Sequence, residues 1–298
     1  MKLFQQFRKK AVLSCKDINI RDPFILCENG RYYMYGTRAN NFGIKTGGFD
    51  VYISDDLINW SRPQECFNSK RYRMNFMVNW APEVHKYNGK YYMFATFTRK
   101  DCGMRATFVL RADSPYGPFI PHSRGPVTPA EWECLDGTLY ISREGKPYIV
   151  FCHEHTQIID GTICYAPLSD DLTEMTGKPV TLFKASEPYW ADESKSKLEH
   201  RITDGPFMYR TEDDELLMLW STYIKGQYAE CLVRFTGGEI GTDFVHLPPL
   251  VDNDGGHGMV FTDKDGKLRL TYHIPNTKGS EHPHFVSVED IGDSIVIG

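Results

Sequence analysis

Acidic side chains recur at one place relative to a repeated turn in this 298-residue chain. Asp22, Glu83, Asp136 and Asp204 each lie a short way ahead of a small turn, and His257 takes the corresponding place in a fifth copy. The turns are Asn29-Gly30, Asn88-Gly89, Glu144-Gly145, Asp213-Asp214 and Asp265-Gly266. Equivalent positions in a radial repeat occupy equivalent positions in space, so these side chains are expected to converge on one axis. Carboxylates packed together repel, and the repulsion raises at least one pKa. One group then holds a proton while another is ionised at the same pH. Glycoside hydrolysis needs such a pair, a carboxylic acid for the leaving oxygen and a carboxylate that activates water. Taken singly, Asp22 and Asp204 also read as residues that cap turns before Pro or Gly. Three in register across repeats argue for the shared site.

The elements that must hold these residues are strands. Asn-Gly and Asp-Gly between apolar runs signal two-residue hairpins. A β-rich run follows each turn, such as Tyr32-Tyr33-Met34-Tyr35 and Tyr91-Tyr92-Met93-Phe94, and a short strand precedes it, such as Pro23-Phe24-Ile25-Leu26. The fourth copy lacks glycine in its turn. The copies recur every ~50 to 70 residues, the scale of propeller blades. No stretch has a convincing helical period, and residues 184–199 read as a long polar loop. The expectation is an all-β, five-bladed β-propeller forming one domain over residues 1–298. A long β-sandwich is the second choice, but it has no reason to repeat five times.

Composition narrows the partners. The formal net charge is −5, and no basic stripe appears, so nucleic acid is not expected. No segment has the length of a membrane-spanning helix. Met1 to Lys10 is basic without the apolar run of a secretory signal. The eight cysteines are scattered without Cys-x-x-Cys pairs and read as buried free thiols in a reducing compartment. The cytoplasm is the expected location. Oligomeric state is not written in the sequence.

The sequence resembles glycoside hydrolase family 43, the five-bladed arabinosidases and β-xylosidases, from about Asn19 to His284. The resemblance rests on Arg21-Asp22-Pro23-Phe24 followed by Tyr-Tyr-Met-Tyr-Gly-Thr, then Trp80-Ala81-Pro82-Glu83-Val84, Leu135-Asp136-Gly137 and Gly256-His257-Gly258 in order. It implies Asp22 as the general base, Asp136 as the residue that orients and tunes the acid, and Asp204 as the acid. The family has Glu before Gly-Pro where this chain has the shorter Asp204, which leaves Glu154 and then Glu199 as alternative acids. Trp80 is expected to stack on a sugar ring. Glu154, Gln157 and Arg201 are candidates for contacts with sugar hydroxyls, and Glu83 for an ion pair that anchors a neighbouring blade. His257, between two glycines, is the candidate for a metal, and the resemblance allows a calcium ion in the central channel beside it. No cofactor is required. His153 with His155, and His282 with His284, are read as separately satisfied histidines.

The expected activity is release of α-L-arabinofuranosyl or β-D-xylosyl units from small carbohydrates, with inversion. Other readings are open: a related five-bladed glycosidase or phosphorylase with another sugar, a sugar-binding propeller without catalysis, and a scaffold for protein partners.

Overall fold

The computed structural model describes residues 12–39, 47–72, 74, 76–191, 200–241 and 243–298. Glu199 lies outside them.

Among the described residues the strands form five four-stranded antiparallel sheets, each built from one continuous run of chain. Blade 1 comprises β1 (Ile20–Glu28), β2 (Arg31–Arg38), β3 (Gly48–Ser54) and β4 (Gln64–Asn68). Blade 2 comprises β5 (Phe76–Tyr87), β6 (Lys90–Arg99), β7 (Arg105–Ala112) and β8 (Ile120–Pro121). Blade 3 comprises β9 (Cys134–Ile141), β10 (Pro147–His153), β11 (Thr162–Pro167) and β12 (Val180–Lys184), with the short helix α1 (His155–Ile158) after β10. Blade 4 comprises β13 (Asp204–Arg210), β14 (Leu216–Ile224), β15 (Gln227–Phe235) and β16 (Phe244–Val251). Blade 5 comprises β17 (Gly256–Thr262), β18 (Leu268–Ile274), β19 (His282–Asp290) and β20 (Ile295–Ile297). The fold is the five-bladed β-propeller expected from the repeat.

The second strands of blades 1 to 4 read as nearly continuous apolar runs because sheets cover both their faces, whereas β18 of blade 5 is interrupted by Arg269, Thr271 and His273. In β6 every residue from Tyr91 to Thr98 is buried. Burial of such runs between blades supplies the main stabilisation, at about 25 cal/mol per Å² of apolar surface.

Two of the expected hairpins are tight. Glu28 pairs with Arg31 and Tyr87 with Lys90, so Asn29-Gly30 and Asn88-Gly89 are two-residue turns with all four φ angles between +46° and +74°. Asn and Gly accept that left-handed region at little cost. The turns of blades 3, 4 and 5 are longer than expected, because β9, β13 and β17 end further from their partners. Asp214 takes the left-handed position in the fourth turn, with φ +64°, where glycine is missing.

The ring closes between blades 5 and 1 without a shared strand. The Ile20 N–H and the Asn19 side chain both donate to the Glu281 carbonyl. The Arg21 guanidinium donates to Glu281 Oε1 at 3.0 Å and to Asn276 Oδ1 at 2.7 Å.

Candidate active site

The first strand of every blade carries the same irregularity. Its register slips by one residue, with two residues set opposite one, at Asp22-Pro23, Ala81-Pro82, Asp136-Gly137, Gly205-Pro206 and His257-Gly258. The first residue of each pair has positive φ: Asp22 +54°, Ala81 +43°, Asp136 +53°, Gly205 +50° and His257 +51°. Non-glycine residues visit this region at a cost and need support from their surroundings. The second residue is Pro or Gly in all five blades. These are β-bulges, which bend a strand and re-aim its side chains.

The bulges correct the alignment drawn from sequence. Asp22, Asp136 and His257 are equivalent, but Ala81 and Gly205 complete the set, not Glu83 and Asp204. Asp204 stands one residue before its bulge, in the place of Arg21, Trp80, Leu135 and Gly256. Glu83 lies beyond its bulge and bonds to His85 on its own strand at 3.0 Å, not to a neighbouring blade. The acidic clusters also lie inside the first strands, where the sequence had put them just ahead.

Each bulge is held by the blade before it. The residue paired opposite the pre-bulge position is Thr37, Thr96, Cys152, Ser221 or His273, and all are buried. Thr37 Oγ1 accepts the Ala81 N–H at 2.8 Å, and Thr96 Oγ1 accepts the Asp136 N–H at 2.8 Å. Ser221 Oγ accepts the His257 N–H at 2.6 Å, and His273 Nδ1 accepts the Asp22 N–H at 3.3 Å. Cys152 makes no such bond to the fourth blade; the Gly205 N–H donates to Asp136 Oδ2 at 3.2 Å. Asp136 therefore braces the segment that carries Asp204.

These bonds bring the carboxylates together. His257 Nδ1 lies 3.2 Å from Asp22 Oδ1 and 3.7 Å from Asp136 Oδ2. Asp22 Oδ2 accepts the Thr37 hydroxyl at 2.6 Å. Asp204 Oδ2 accepts the Tyr228 hydroxyl at 2.9 Å. Asp22 and Asp136 are 8% and 6% exposed, whereas Asp204 is partly open, so Asp204 is the one of the three best able to meet a ligand.

Their electrostatics diverge. Burial opposes ionisation of Asp22, but the charges of His257 and Arg21 outweigh it, and its pKa lies below the ordinary value. Burial pushes Asp136 up to about 8, with the charges of Asp204 and Asp22 adding to the rise against the pull of His257. Asp204 is also raised, by burial first and by Glu154 and Asp22 against His257 and Tyr228. Asp136 and Asp204 interact closely, so the proton belongs to the pair. The Gly205 N–H on Asp136 favours its ionised form, as the Tyr228 hydroxyl does for Asp204. Burial opposes the charge on His257, yet the carboxylates of Asp22, Asp136 and Asp204 hold its pKa up at about 9.

The remaining sequence candidates are placed as follows. Glu154 is 2% exposed and pairs with Arg105 at 2.8 Å. Arg105 also bonds Glu133 and lies 5.5 Å from the Trp80 ring, so it covers one face of that partly exposed indole. Gln157 Oε1 accepts the Glu133 N–H at 2.8 Å, and its Nε2 donates to the Glu131 carbonyl. The Arg201 guanidinium donates to the Ala191 carbonyl at 2.7 Å. Both side chains thus brace backbone around the site. His153 stacks on Trp132 at 4.2 Å, and His155 faces His200 at 3.2 Å. His282 bonds the Ile18 carbonyl.

Calcium prefers a shell of oxygen donors. Among the described residues no group of three or more His, Cys, Asp or Glu side chains is arranged to hold an ion, and His257 Nδ1 faces carboxylates. The residues present do not fit direct ligation of calcium through His257. Its observed contacts are those of a cation within the acidic cluster.

Sequence reading missed Thr37, Thr96, Ser221, His273 and Tyr228. A signal for the first four was available. In all five hairpins the residue opposite the pre-bulge position is the sixth of the second-strand run, counted from Tyr32, Tyr91, Pro147, Leu216 and Leu268, and in four of them it braces the next bulge. Tyr228 lies on a third strand, after the tight Lys225-Gly226 turn, and no repeat points to it.

Residues 16–286 match the family model for glycosyl hydrolases family 43. No curated protein matches the sequence. Among solved structures, an endo-arabinase from Bacteroides thetaiotaomicron VPI-5482 is 38% identical, with a TM-score of 0.84 over 94% of this chain and 98% of that one. An endo-1,4-beta-xylanase from the same organism is 22% identical, with a TM-score of 0.78 over 97% of each chain. An alpha-L-arabinofuranosidase from Lactobacillus brevis is 17% identical, with a TM-score of 0.71 over 94% of this chain and 95% of that one. The last two are similar in fold.

Proposed function

Since the chain belongs to glycosyl hydrolase family 43, we propose that it hydrolyses α-L-arabinofuranosyl linkages with inversion, using Asp22 as base and Asp204 as acid. The observation that carries this reading is the gathering of Asp22 and Asp136 on His257, with the partly open Asp204 on the segment that Asp136 braces; charge pushes Asp22 down and burial pushes Asp204 up. Ionised Asp22 takes a proton from water as its oxygen bonds to the anomeric carbon. Asp204 gives its proton to the departing glycosidic oxygen from the opposite face, and that carbon–oxygen bond breaks. Asp136 keeps the Gly205 segment in place and shares a proton with the acid. His257 stabilises the ionised base. Carboxylates and water suffice, with no cofactor.

The arabinosyl choice is favoured by the 38% identical endo-arabinase. That relative also favours a second reading, cleavage inside an arabinan chain instead of release of terminal units. β-D-Xylosyl substrates are the alternative sugar.

The test is hydrolysis of arabino-oligosaccharides, debranched arabinan and aryl arabinofuranosides and xylosides, with proton NMR of the first sugar released. The expected result is arabinose or short arabino-oligosaccharides with the inverted anomer first. Retention would reject the mechanism, and turnover of xylosides alone would move the substrate to xylan fragments.

A further inference from the structure

We propose that Tyr228 and His273 form a positioning pair that ties Asp204 to Asp22, fixing the acid and the base in one orientation across the axis; this deepens the hydrolase reading and rests on it. Tyr228 is 1% and His273 0% exposed. Their rings stack at 5.5 Å with planes 27° apart. The outer end of Tyr228 donates to Asp204 Oδ2 at 2.9 Å, and the inner nitrogen of His273 accepts the Asp22 N–H at 3.3 Å. One stacked pair thus touches both carboxylate-bearing segments, which come from blades 4 and 1.

The hydrogen bonds determine the His273 tautomer. Nδ1 accepts, so the proton is on Nε2, which donates to Asn276 Oδ1 at 3.2 Å. Asn276 Nδ2 in turn donates to the Tyr223 hydroxyl at 2.7 Å. Burial and the nearby Arg21 charge depress the His273 pKa to about 3, so it stays neutral. The 3.6 Å approach of its Nδ1 to Asp22 Oδ1 is therefore not an ion pair. A neutral, fully bonded imidazole holds the Asp22 backbone without adding charge to the base.

Tyr228 does the matching work on Asp204. Its hydroxyl occupies Oδ2 and leaves Oδ1 to carry the transferable proton. The donated bond also favours the ionised form, which keeps the acid's pKa from rising further.

Tyr228→Phe removes one oxygen and keeps the stack. It should lower kcat on an arabino-oligosaccharide about tenfold or more, yet less than about threefold on a dinitrophenyl arabinofuranoside, whose leaving group needs no proton. The basic limb of its pH profile should move upward. Equal losses on both substrates with an unmoved limb would reduce Tyr228 to packing and overturn the proposal. His273→Phe keeps the ring and removes the acceptor, so its loss should be the same for both leaving groups; an unchanged kcat would also overturn it. A carboxyl carbon-13 titration of labelled aspartates, with Asp204 assigned through Asp204→Asn, reads the same effect without substrate. The Asp204 midpoint should rise in Tyr228→Phe, and a fixed midpoint counts against the pair. If the wild-type protein cleaves no glycoside, the hydrolase reading fails while this titration still decides the pairing.

Discussion

Two acidic clusters stand near each other and behave differently. At the axis, Asp22 and Asp136 approach one imidazole, His257, and Asp204 contributes to the same field. At the seam of blades 2 and 3, Glu133 and Glu154 share one guanidinium, Arg105. A guanidinium stays charged at every ordinary pH and offers several donors in a fixed plane. The seam cluster is accordingly a permanent strut. The axial cluster has a partner that titrates, His257, and only Asp22 has Arg21 beside it; burial and mutual repulsion raise Asp136 and Asp204, so protons are held there. Chemistry is possible where the cation is insufficient.

The sharpest way to break this contrast is Asp22→Asn. It should lower kcat about 10³- to 10⁴-fold, as for loss of a general base, with little change in KM and a lower melting temperature, because His257 and Arg21 lose a buried anion. Unchanged turnover would remove the base from the axis. Next comes Asp204→Asn, which should cost about 10²- to 10³-fold on oligosaccharides and much less on dinitrophenyl glycosides. Glu154→Gln should keep kcat within about threefold while melting lower, because the strut loses a charged hydrogen bond worth about 1.5–3 kcal/mol. A kcat loss in Glu154→Gln as deep as that of Asp204→Asn would transfer the acid role to the seam and erase the distinction.

The smallest effect is in pH dependence. The folded pKa of His257 is about 9, above its ordinary 6.5. The folded state therefore binds more protons between those values, so stability is full below 6.5 and falls as pH rises through about 9. Thermal melts should show this decline, and His257→Asn should flatten it. An undiminished slope in that variant would place the titrating group elsewhere. Activity itself should need Asp22 ionised and Asp204 protonated, giving a bell whose basic limb follows the raised acid.

Much of this was legible in the chain. Five turns at a steady period gave the propeller, because a radial repeat has to write each blade separately. Asp22, Asp136 and His257 were found for the same reason, since they occupy the same bulge position. Asp204 was found by a faulty alignment, because its neighbour Gly205 is the true equivalent. Counting from the turn cannot tell position 204 from 205; the Pro or Gly that follows the bulged residue in every blade marks the bulge, but both positions satisfy it, Asp204 before Gly205 and Gly205 before Pro206. A basic partner for Glu154 was one reading of the sequence, but which one was not legible, because Arg105 comes from another blade. Tyr228 escaped notice since its partner is 24 residues away and an isolated tyrosine in a strand ordinarily signals core. Repetition reveals what every blade shares and hides what only one blade has.

The junction between the first and last blades resembles a split washer, since no peptide link crosses it directly. Warming or mild urea should open the ring at that gap first. Arg21 spans the gap to Glu281 and sits beside Asp22, so the earliest breathing motion reaches the water-activating carboxylate. Catalysis would then fade while the sheets are still intact, and the onset of inactivation would report on the gap and not on the melting of the blades.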